Sequence, residues 1–458
     1  MLDVSAFLFK DRDMRKREKK DKKIKEHNAM LLRFAGYTSM NVMGTLATSC
    51  YILADTFFIS MGLGTEGLAA LNLAIPVFGF ITGCGLMMGM GGATKYSIAE
   101  GRGEQEEKKT VFTNTLIMAA VAAFVFLAAG IFFSGELASL LGADEETFDM
   151  THIYVKTILM FAPIFILNYV MQCFVRNDGN PKISMIAMVS GSLSNILLDY
   201  VFIFPLKMGI FGAAIATCFS PVISLCILSS HLLSRKSELR LCGIKINPAG
   251  IKSTLSLGFP SLVTELSSGV VIIVYNMIIM KISGNVGVAA YGVIANLSLV
   301  VVSIYSGIAQ GSQPLLSAAC GQGDFEGMKK FFKYAVVLMG TLSLLIYSAI
   351  FIFAEPVAAI FNSEKNIELQ AIAVPGLRIY FTAVMFVGFN IIISVYFTSM
   401  EKGLPAQIIS LTRGLVLIIP AAFLLSEMLG MIGVWLSFPI TEGAVSAGAL
   451  IFKMKARL

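Results

Sequence analysis

Val111 to Phe133 and Ile379 to Met400 carry no charged side chain at all. A helix in water needs a polar face, whereas roughly 20 mostly apolar residues suit one crossing of a bilayer. Twelve stretches of this kind can be read along the 458 residues: 34–60, 67–94, 111–133, 151–175, 184–204, 210–233, 253–280, 286–316, 331–354, 371–398, 405–425 and 430–452. They are continuously apolar rather than alternating, which excludes a membrane β-barrel. With 56% hydrophobic and 14% charged residues, the chain lacks the charge, about a quarter of residues, that a soluble surface requires. The expectation is an all-α membrane protein with twelve transmembrane helices.

The charges orient those helices. Ten Lys or Arg lie between Lys10 and Lys25, interleaved with Asp11, Asp13, Glu18 and Asp21, directly before the first span. Such a run is a cytoplasmic anchor near acidic membrane lipid, not a nucleic-acid arm. With the N-terminus inside, the inner segments collect Lys95, Arg102, Lys108, Lys109, Arg176, Lys182, Arg235, Lys236, Arg240, Lys245, Lys252, Lys329, Lys330, Lys333, Lys402, Lys453, Lys455 and Arg457. The outer ones hold only Lys156, Lys207, Lys281 and Lys365, and the outer loop 134–150 is purely acidic. Both termini are therefore expected to be cytoplasmic.

Several chemistries drop out. The seven Cys (Cys50, Cys84, Cys173, Cys218, Cys226, Cys242, Cys320) show no CxxC spacing, and His27, His152 and His231 are scattered. Neither set reads as a disulfide framework, a zinc site or a catalytic relay. No Gly precedes a Lys, so there is no P-loop, and the charged start is not a cleavable signal peptide. No cofactor and no enzymatic activity are expected.

The chain also repeats itself at a spacing of 220. Gly67-Leu68-Ala69-Ala70 matches Gly287-Val288-Ala289-Ala290; Gly91 matches Gly311; Gly101-Arg102-Gly103-Glu104 matches Gly321-Gln322-Gly323-Asp324; Lys109 and Phe112 match Lys329 and Phe332. With small slips, Gly179-Asn180-Pro181 faces Gly403-Leu404-Pro405, and Gly209 with Gly212 faces Gly430 with Gly433. Six spans per repeat give parallel repeats related by an axis along the membrane normal, two six-helix bundles around a central cleft. The expected division is a basic tail 1–33, an N-lobe 34–233, an inter-lobe linker 234–252, a C-lobe 253–452 and a C-terminus 453–458. One chain already holds both lobes, so a monomer suffices.

Ionisable residues inside hydrocarbon cost at least ~2.5–3.5 kcal/mol, so each needs a reason. Asp55 lies in the first span; Asp199 lies in the fifth, with Asn195 one turn before it on the same face. Two carboxylates and an amide make an oxygen cage for a hard cation or a shared proton site; the alternative is helix packing alone. The repeat partner of Asp55 is Tyr275 or Asn276, and the eleventh span has no acid opposite Asp199, which confines this chemistry to the N-terminal half. The other half has its own polar intruders: Glu265, Arg378, Arg413 and Glu442. Arg413 and Glu442 can pair across the last two spans, while Glu265 can face the cleft. Met87, Met88 and Met90 on span two, with Met277 and Met280 on span seven, suit a polyspecific cavity or ordinary packing.

Ala54-Asp55-Thr56-Phe57-Phe58-Ile59 with Gly62-Leu63-Gly64, Gln172 to Arg176 with Gly179 and Pro181, and the run Asn195 to Ile203 together resemble the multidrug and toxic compound extrusion (MATE) family. The likeness runs from about residue 30 to the end, and the Asn195 to Ile203 run with the duplication is its most specific part. The resemblance implies a secondary exporter that exchanges small organic cations, drugs or metabolites for Na⁺ or H⁺. It implies a coupling site of Asp55, Asn195, Asp199 and Thr217, with Gln172 as the polar residue of span four and Tyr154 in the same pocket. If the ion is Na⁺, Asp55, Asn195 and Asp199 are its ligands. Glu265, Met87, Met277 and Asn276 are candidates for the substrate cleft. Many relatives carry a proline early in helix one, where this chain reads Gly36-Tyr37-Thr38-Ser39-Met40-Asn41. A flippase for a lipid-linked precursor is the alternative on the same architecture, and it needs a strongly cationic cleft.

Overall fold

The computed structural model describes residues 2–243, 247–362 and 366–455, with side chains from residue 25 onwards. Lys245, Lys365, Arg457 and the side chains of the basic run before residue 25 lie outside the described residues. The described residues form fourteen α-helices: α1 Leu2–Arg102, α2 Gln105–Phe132, α3 Ser134–Leu140, α4 Phe148–Asn177, α5 Pro181–Ile203, α6 Gly209–Leu232, α7 Pro248–Gly321, α8 Phe325–Ile352, α9 Ala354–Phe361, α10 Ile367–Tyr380, α11 Val384–Thr398, α12 Gly403–Leu411, α13 Ile418–Leu429 and α14 Met431–Lys455.

Among the described residues ten helical stretches are long and apolar enough to cross a bilayer. Two of them, α1 and α7, fold at one glycine each, Gly64 (φ 69°, ψ −155°) and Gly284 (φ 57°, ψ −153°). Each therefore crosses twice, and twelve crossings result. Loops were expected at 61–66 and 281–285; a single glycine suffices because only glycine adopts this backbone region without strain. Two crossings change pitch midway: α10 and α11 join through a 3₁₀ turn, Phe381–Ala383, and α12 and α13 through a π turn, Thr412–Val416. The acidic outer segment 134–150 is not all loop either, since it contains α3, matched in the second half by α9. α7 begins at Pro248, inside the stretch expected as linker, with Asn247 accepting from Gly250 N at 3.0 Å as its cap.

The duplication is visible in the backbone. The left-handed glycines Gly64, Gly103 and Gly209 recur as Gly284, Gly323 and Gly430. One sequence pairing is corrected: the turn at Gly179 (φ 80°) is repeated at Glu401 (φ 58°), two residues before Gly403. Each half packs its own apolar core. That of the first includes Phe112, Phe165 and Phe174, and that of the second Tyr305, Phe332 and Trp435.

The halves meet along two seams, α1 against the end of α7 and the second crossing of α1 against the start of α7. Glycines make both. A methyl carbon at Gly258 would stand 1.7 Å from Met87 O, one at Gly91 2.0 Å from Thr254 O, one at Gly321 2.2 Å from Ile98 O and one at Gly311 2.7 Å from Tyr37 O. All four contacts lie toward the end that carries the basic loops. The polar bonds between the halves lie there too. Thr45 Oγ1 donates to Ser303 O at 2.8 Å, and Ser49 Oγ to Ser303 Oγ at 2.5 Å. Arg176 Nη1 donates to Gln310 Oε1 at 2.9 Å, Asn177 Nδ2 to Gln313 Oε1 at 3.0 Å, and Gln313 Nε2 to Thr94 Oγ1 at 3.1 Å. Arg102 and Glu401 close the ladder as an ion pair at 3.0 Å. Above these rungs, between the halves, lies a cavity of about 370 Å³.

A carboxylate pair behind the central cavity

Asp55 sits before the Gly64 fold of α1, and Asp199 near the end of α5. Both are buried, Asp199 completely. Their carboxyl groups face one another. Neither Asp199 oxygen receives a hydrogen bond, nor does Asp55 Oδ1. Asn195, one turn before Asp199 and fully buried, leaves its Oδ1 equally bare. Its Nδ2 donates to Thr217 Oγ1 at 3.4 Å, and the Tyr154 hydroxyl stands beside the same threonine. Four bare buried oxygens thus lie on α1 and α5, three of them on the two carboxyl groups. Buried polar atoms are almost always bonded, and two facing carboxylates without donors repel strongly in a medium of low dielectric. The donor set suits a proton or a hard monovalent cation, which takes oxygen ligands of this kind. Among the described residues no three His, Cys, Asp or Glu side chains converge as metal ligands, here or elsewhere.

Thr217 faces two ways. It holds Asn195 on one side and lines the cavity on the other, with Tyr51, Asn168 and Gln172 beside it. Gln172 reaches Ser224 Oγ only at 3.5 Å and stands in the cavity wall rather than on the carboxylates. Glu265 lines the cavity from α7. The remaining cleft candidates do not. Met277 is half exposed on the outer face of α7, because Tyr275, Ile278 and Ile279 occupy its core-facing side. Met87 is held at the α1–α7 crossing opposite Gly258, and neither it nor Asn276 is in the cavity wall.

In the second half Arg413, on the π turn, meets Glu442 of α14 at 3.0 Å, and Asn390 Nδ2 donates to the other Glu442 oxygen at 2.7 Å. Ser446 Oγ donates to Asn390 Oδ1 at 2.9 Å. The pair expected from the sequence is therefore formed, and it lines the cavity. Tyr275, which replaces Asp55 in the repeat, bonds Ser437 at 2.5 Å and stacks on Tyr291. The buried acid of the second half, Glu442, is thus bonded through both oxygens, whereas Asp199 in the first is bonded through neither. Arg378 lies on the periphery, 3.4 Å from Glu355.

The family model MatE matches residues 42–201 and 260–424, the greater part of both halves. The chain belongs to the MatE family. The multidrug export protein MepA of Staphylococcus aureus (strain MRSA252) is 26% identical over 422 residues, covering 91% of this chain and 92% of MepA. MepA of Staphylococcus saprophyticus is 25% identical over 421 residues, with the same coverage. Among solved structures, a MOP superfamily transporter from Pyrococcus furiosus, described as having a binding pocket of reversed polarity, superposes with a TM-score of 0.86 at 25% identity, covering 92% of this chain and 95% of that one. An outward-facing multidrug resistance MATE transporter superposes with a TM-score of 0.85 at 25% identity and the same coverage. This MATE chain is accordingly a multi-pass membrane protein of a multidrug efflux family.

The sequence reading missed two features of the site. Asn168, buried with a bare Oδ1, lines the cavity. Arg176 is fully buried there and, among the described residues, bonded only to the neutral atoms Asn41 Oδ1, Gln310 Oε1, Met90 Sδ and Cys173 Sγ. The signal was present: Asn168, Gln172 and Arg176 recur every fourth residue, a polar stripe on one face of an apolar helix.

Proposed function

We propose that this MATE protein is a secondary antiporter that exports small organic cations, drugs or metabolites in exchange for Na⁺ or H⁺. The observation that carries the reading is the donor-free pair Asp55–Asp199, joined to the cavity through Asn195 and Thr217. With the basic loops on the cytoplasmic side of a bacterial plasma membrane, the glycine seams and polar rungs close the inner end, so the cavity belongs to the outward-facing state. An external ion or proton enters the carboxylate pair and removes its repulsion. α1 and α5 then draw together, and the change passes through Thr217 into the cavity wall. Substrate leaves outward as the ion is taken up. Return to the inward-facing state requires the rungs at Ser303, Gln310 and Gln313 to break. Coupling follows because ion and substrate each favour a different state. One chain supplies both lobes, so the monomer is the working unit, and no cofactor beyond the coupling ion takes part.

The cavity wall carries Arg176, Arg413, Glu265 and Glu442, two bases and two acids. That balance does not favour a pyrophosphate, and with it a flippase for lipid-linked precursors. Efflux of a fluorescent organic cation from proteoliposomes, under a Na⁺ gradient and a pH gradient applied separately, tests the reading. One gradient should drive efflux in the native protein and neither in Asp199→Asn. Efflux by Asp199→Asn at the native rate would remove the carboxylate pair from the mechanism, and no efflux by folded native protein would remove the antiporter.

A further inference from the structure

A second groove lies outside the cleft, on the surface that faces the bilayer. Leu31, Phe34, Thr38 and Val42 of α1 form one wall and Tyr334, Val337, Leu338 and Leu342 of α8 the other, with Ile308 of α7 as its floor. Its volume is about 670 Å³ and its surface almost wholly apolar. From Leu31 to Val42 a helix rises about 17 Å at ~1.5 Å per residue, close to the ~15 Å of hydrocarbon in one leaflet. The groove is therefore as long as one leaflet is deep, and it starts at the basic end.

Its mouth is charged. Lys333 lines the groove, and Lys329 and Lys330 lie a turn earlier on α8, all three exposed, with Glu326 as the acid of that helix's first turn. The apolar wall is anchored at the same level by Tyr334, whose hydroxyl bonds His27 Nδ1 at 2.7 Å and whose ring packs on Phe34 at 5.7 Å. An apolar slot of leaflet depth under a cluster of lysines matches an acyl chain beneath an anionic headgroup.

The groove also straddles the seam. α1 belongs to the first half and α7 and α8 to the second, and the wall exists only while Gly307 and Gly311 hold α7 against Val42 and Tyr37. We propose that an anionic glycerophospholipid of the basic-side leaflet occupies this groove, its acyl chain between α1 and α8 and its phosphate at Lys330 and Lys333, and that it favours the state closed at that end. A ligand that binds one state alone shifts the equilibrium toward it. The inference is independent of the transported substrate.

Tyr334→Trp places a reporter in the groove, with Trp435, buried in the C-lobe core, as an internal reference beyond the reach of lipid. In mixed bilayers, phosphatidylglycerol with brominated chains should quench the reporter with about fivefold higher apparent affinity than phosphatidylcholine with the same chains. Adding Lys330→Gln and Lys333→Gln should bring that ratio to about one. Equal quenching by the two lipids would overturn the proposal. So would a preference that survives the two substitutions, which would assign it to the basic tail. In native protein, hydrogen exchange over 36–45 and 303–313 should slow at least ~3-fold when phosphatidylglycerol replaces phosphatidylcholine; unchanged exchange would overturn the link to the closed state.

Discussion

Gly258→Ala is the smallest change that tests whether the glycine seam belongs to one state. The new methyl carbon would lie 1.7 Å from Met87 O, and Cβ atoms in real structures essentially never approach other atoms below 3.0 Å. The backbones must therefore part there by at least ~1.3 Å, beyond the reach of most favourable dispersion contact. Overpacking of a tight interface costs about 1–3 kcal/mol, and backbone against backbone leaves no side chain to turn aside, so ~3 kcal/mol falls on the closed state. At about 1.4 kcal/mol per factor of ten, closure weakens about 100-fold. The inward-facing state, with the seam parted, escapes the clash. Hydrogen–deuterium exchange in nanodiscs should show amides of 84–102 and 250–262 exchanging about 100-fold faster, while those of α5 and α6 stay protected. Gly292→Ala, where nothing lies within 4 Å, should leave exchange at native rates. Native protection in a folded Gly258→Ala protein would refute the assignment of this seam to the closed state.

Asp199→Asn should abolish gradient-driven efflux and at the same time raise thermal stability by about 1–2 kcal/mol, because it removes one of two facing carboxylates; a lowered melting temperature in a fluorimetric scan would contradict that reading. Arg413→Met strands the buried Glu442 and should cost about 3–5 kcal/mol, most of it recovered in Arg413→Met with Glu442→Gln; denaturant unfolding of the two variants checks the difference. Asp178, in the turn after α4, is buried, which would raise its pKa, yet bonds from His231, Tyr96 and the Glu238 backbone hold its carboxyl below the usual range. A depressed folded value means stability present above the unfolded pKa of ~3.9 and lost as pH falls through the folded one. Asp178→Asn should therefore destabilise at pH 7 and flatten the acid limb of a melting-temperature profile between pH 5 and pH 3; an acid limb as steep as the native one would remove Asp178 from the linkage.

The fold was legible because its strongest constraints are local. Uncharged runs of spanning length, lysines on alternate loops and glycines at a constant offset each leave a mark on the sequence itself. The structure added what depends on one atom meeting another far along the chain. Gly64 and Gly284 were visible as residues, but their role as complete turns required the backbone. The acids Asp55 and Asp199 stood out because charge is rare in apolar helices; their mutual approach did not, since three crossings lie between them along the chain. Met277 misled for a related reason: composition marks a residue type, whereas the face of α7 it occupies is set by Tyr275 and Ile279 packing inward. The rungs at Ser49, Thr94 and Gln313 were illegible because Ser, Thr and Gln are common in such helices and satisfy their own backbone when nothing else is near.

Ion release on substrate binding tests the carboxylate site most directly. Tetraphenylphosphonium, a permanent organic cation, is added to detergent-solubilised protein equilibrated with ²²Na⁺ or held in weak buffer, and the ion set free is measured by bound counts or by a pH electrode. Native protein should release about one Na⁺ or one proton per chain, and Asp199→Asn should release neither while still binding the cation. Substrate binding with no ion release, or full release from Asp199→Asn, would contradict a coupling site at Asp55 and Asp199.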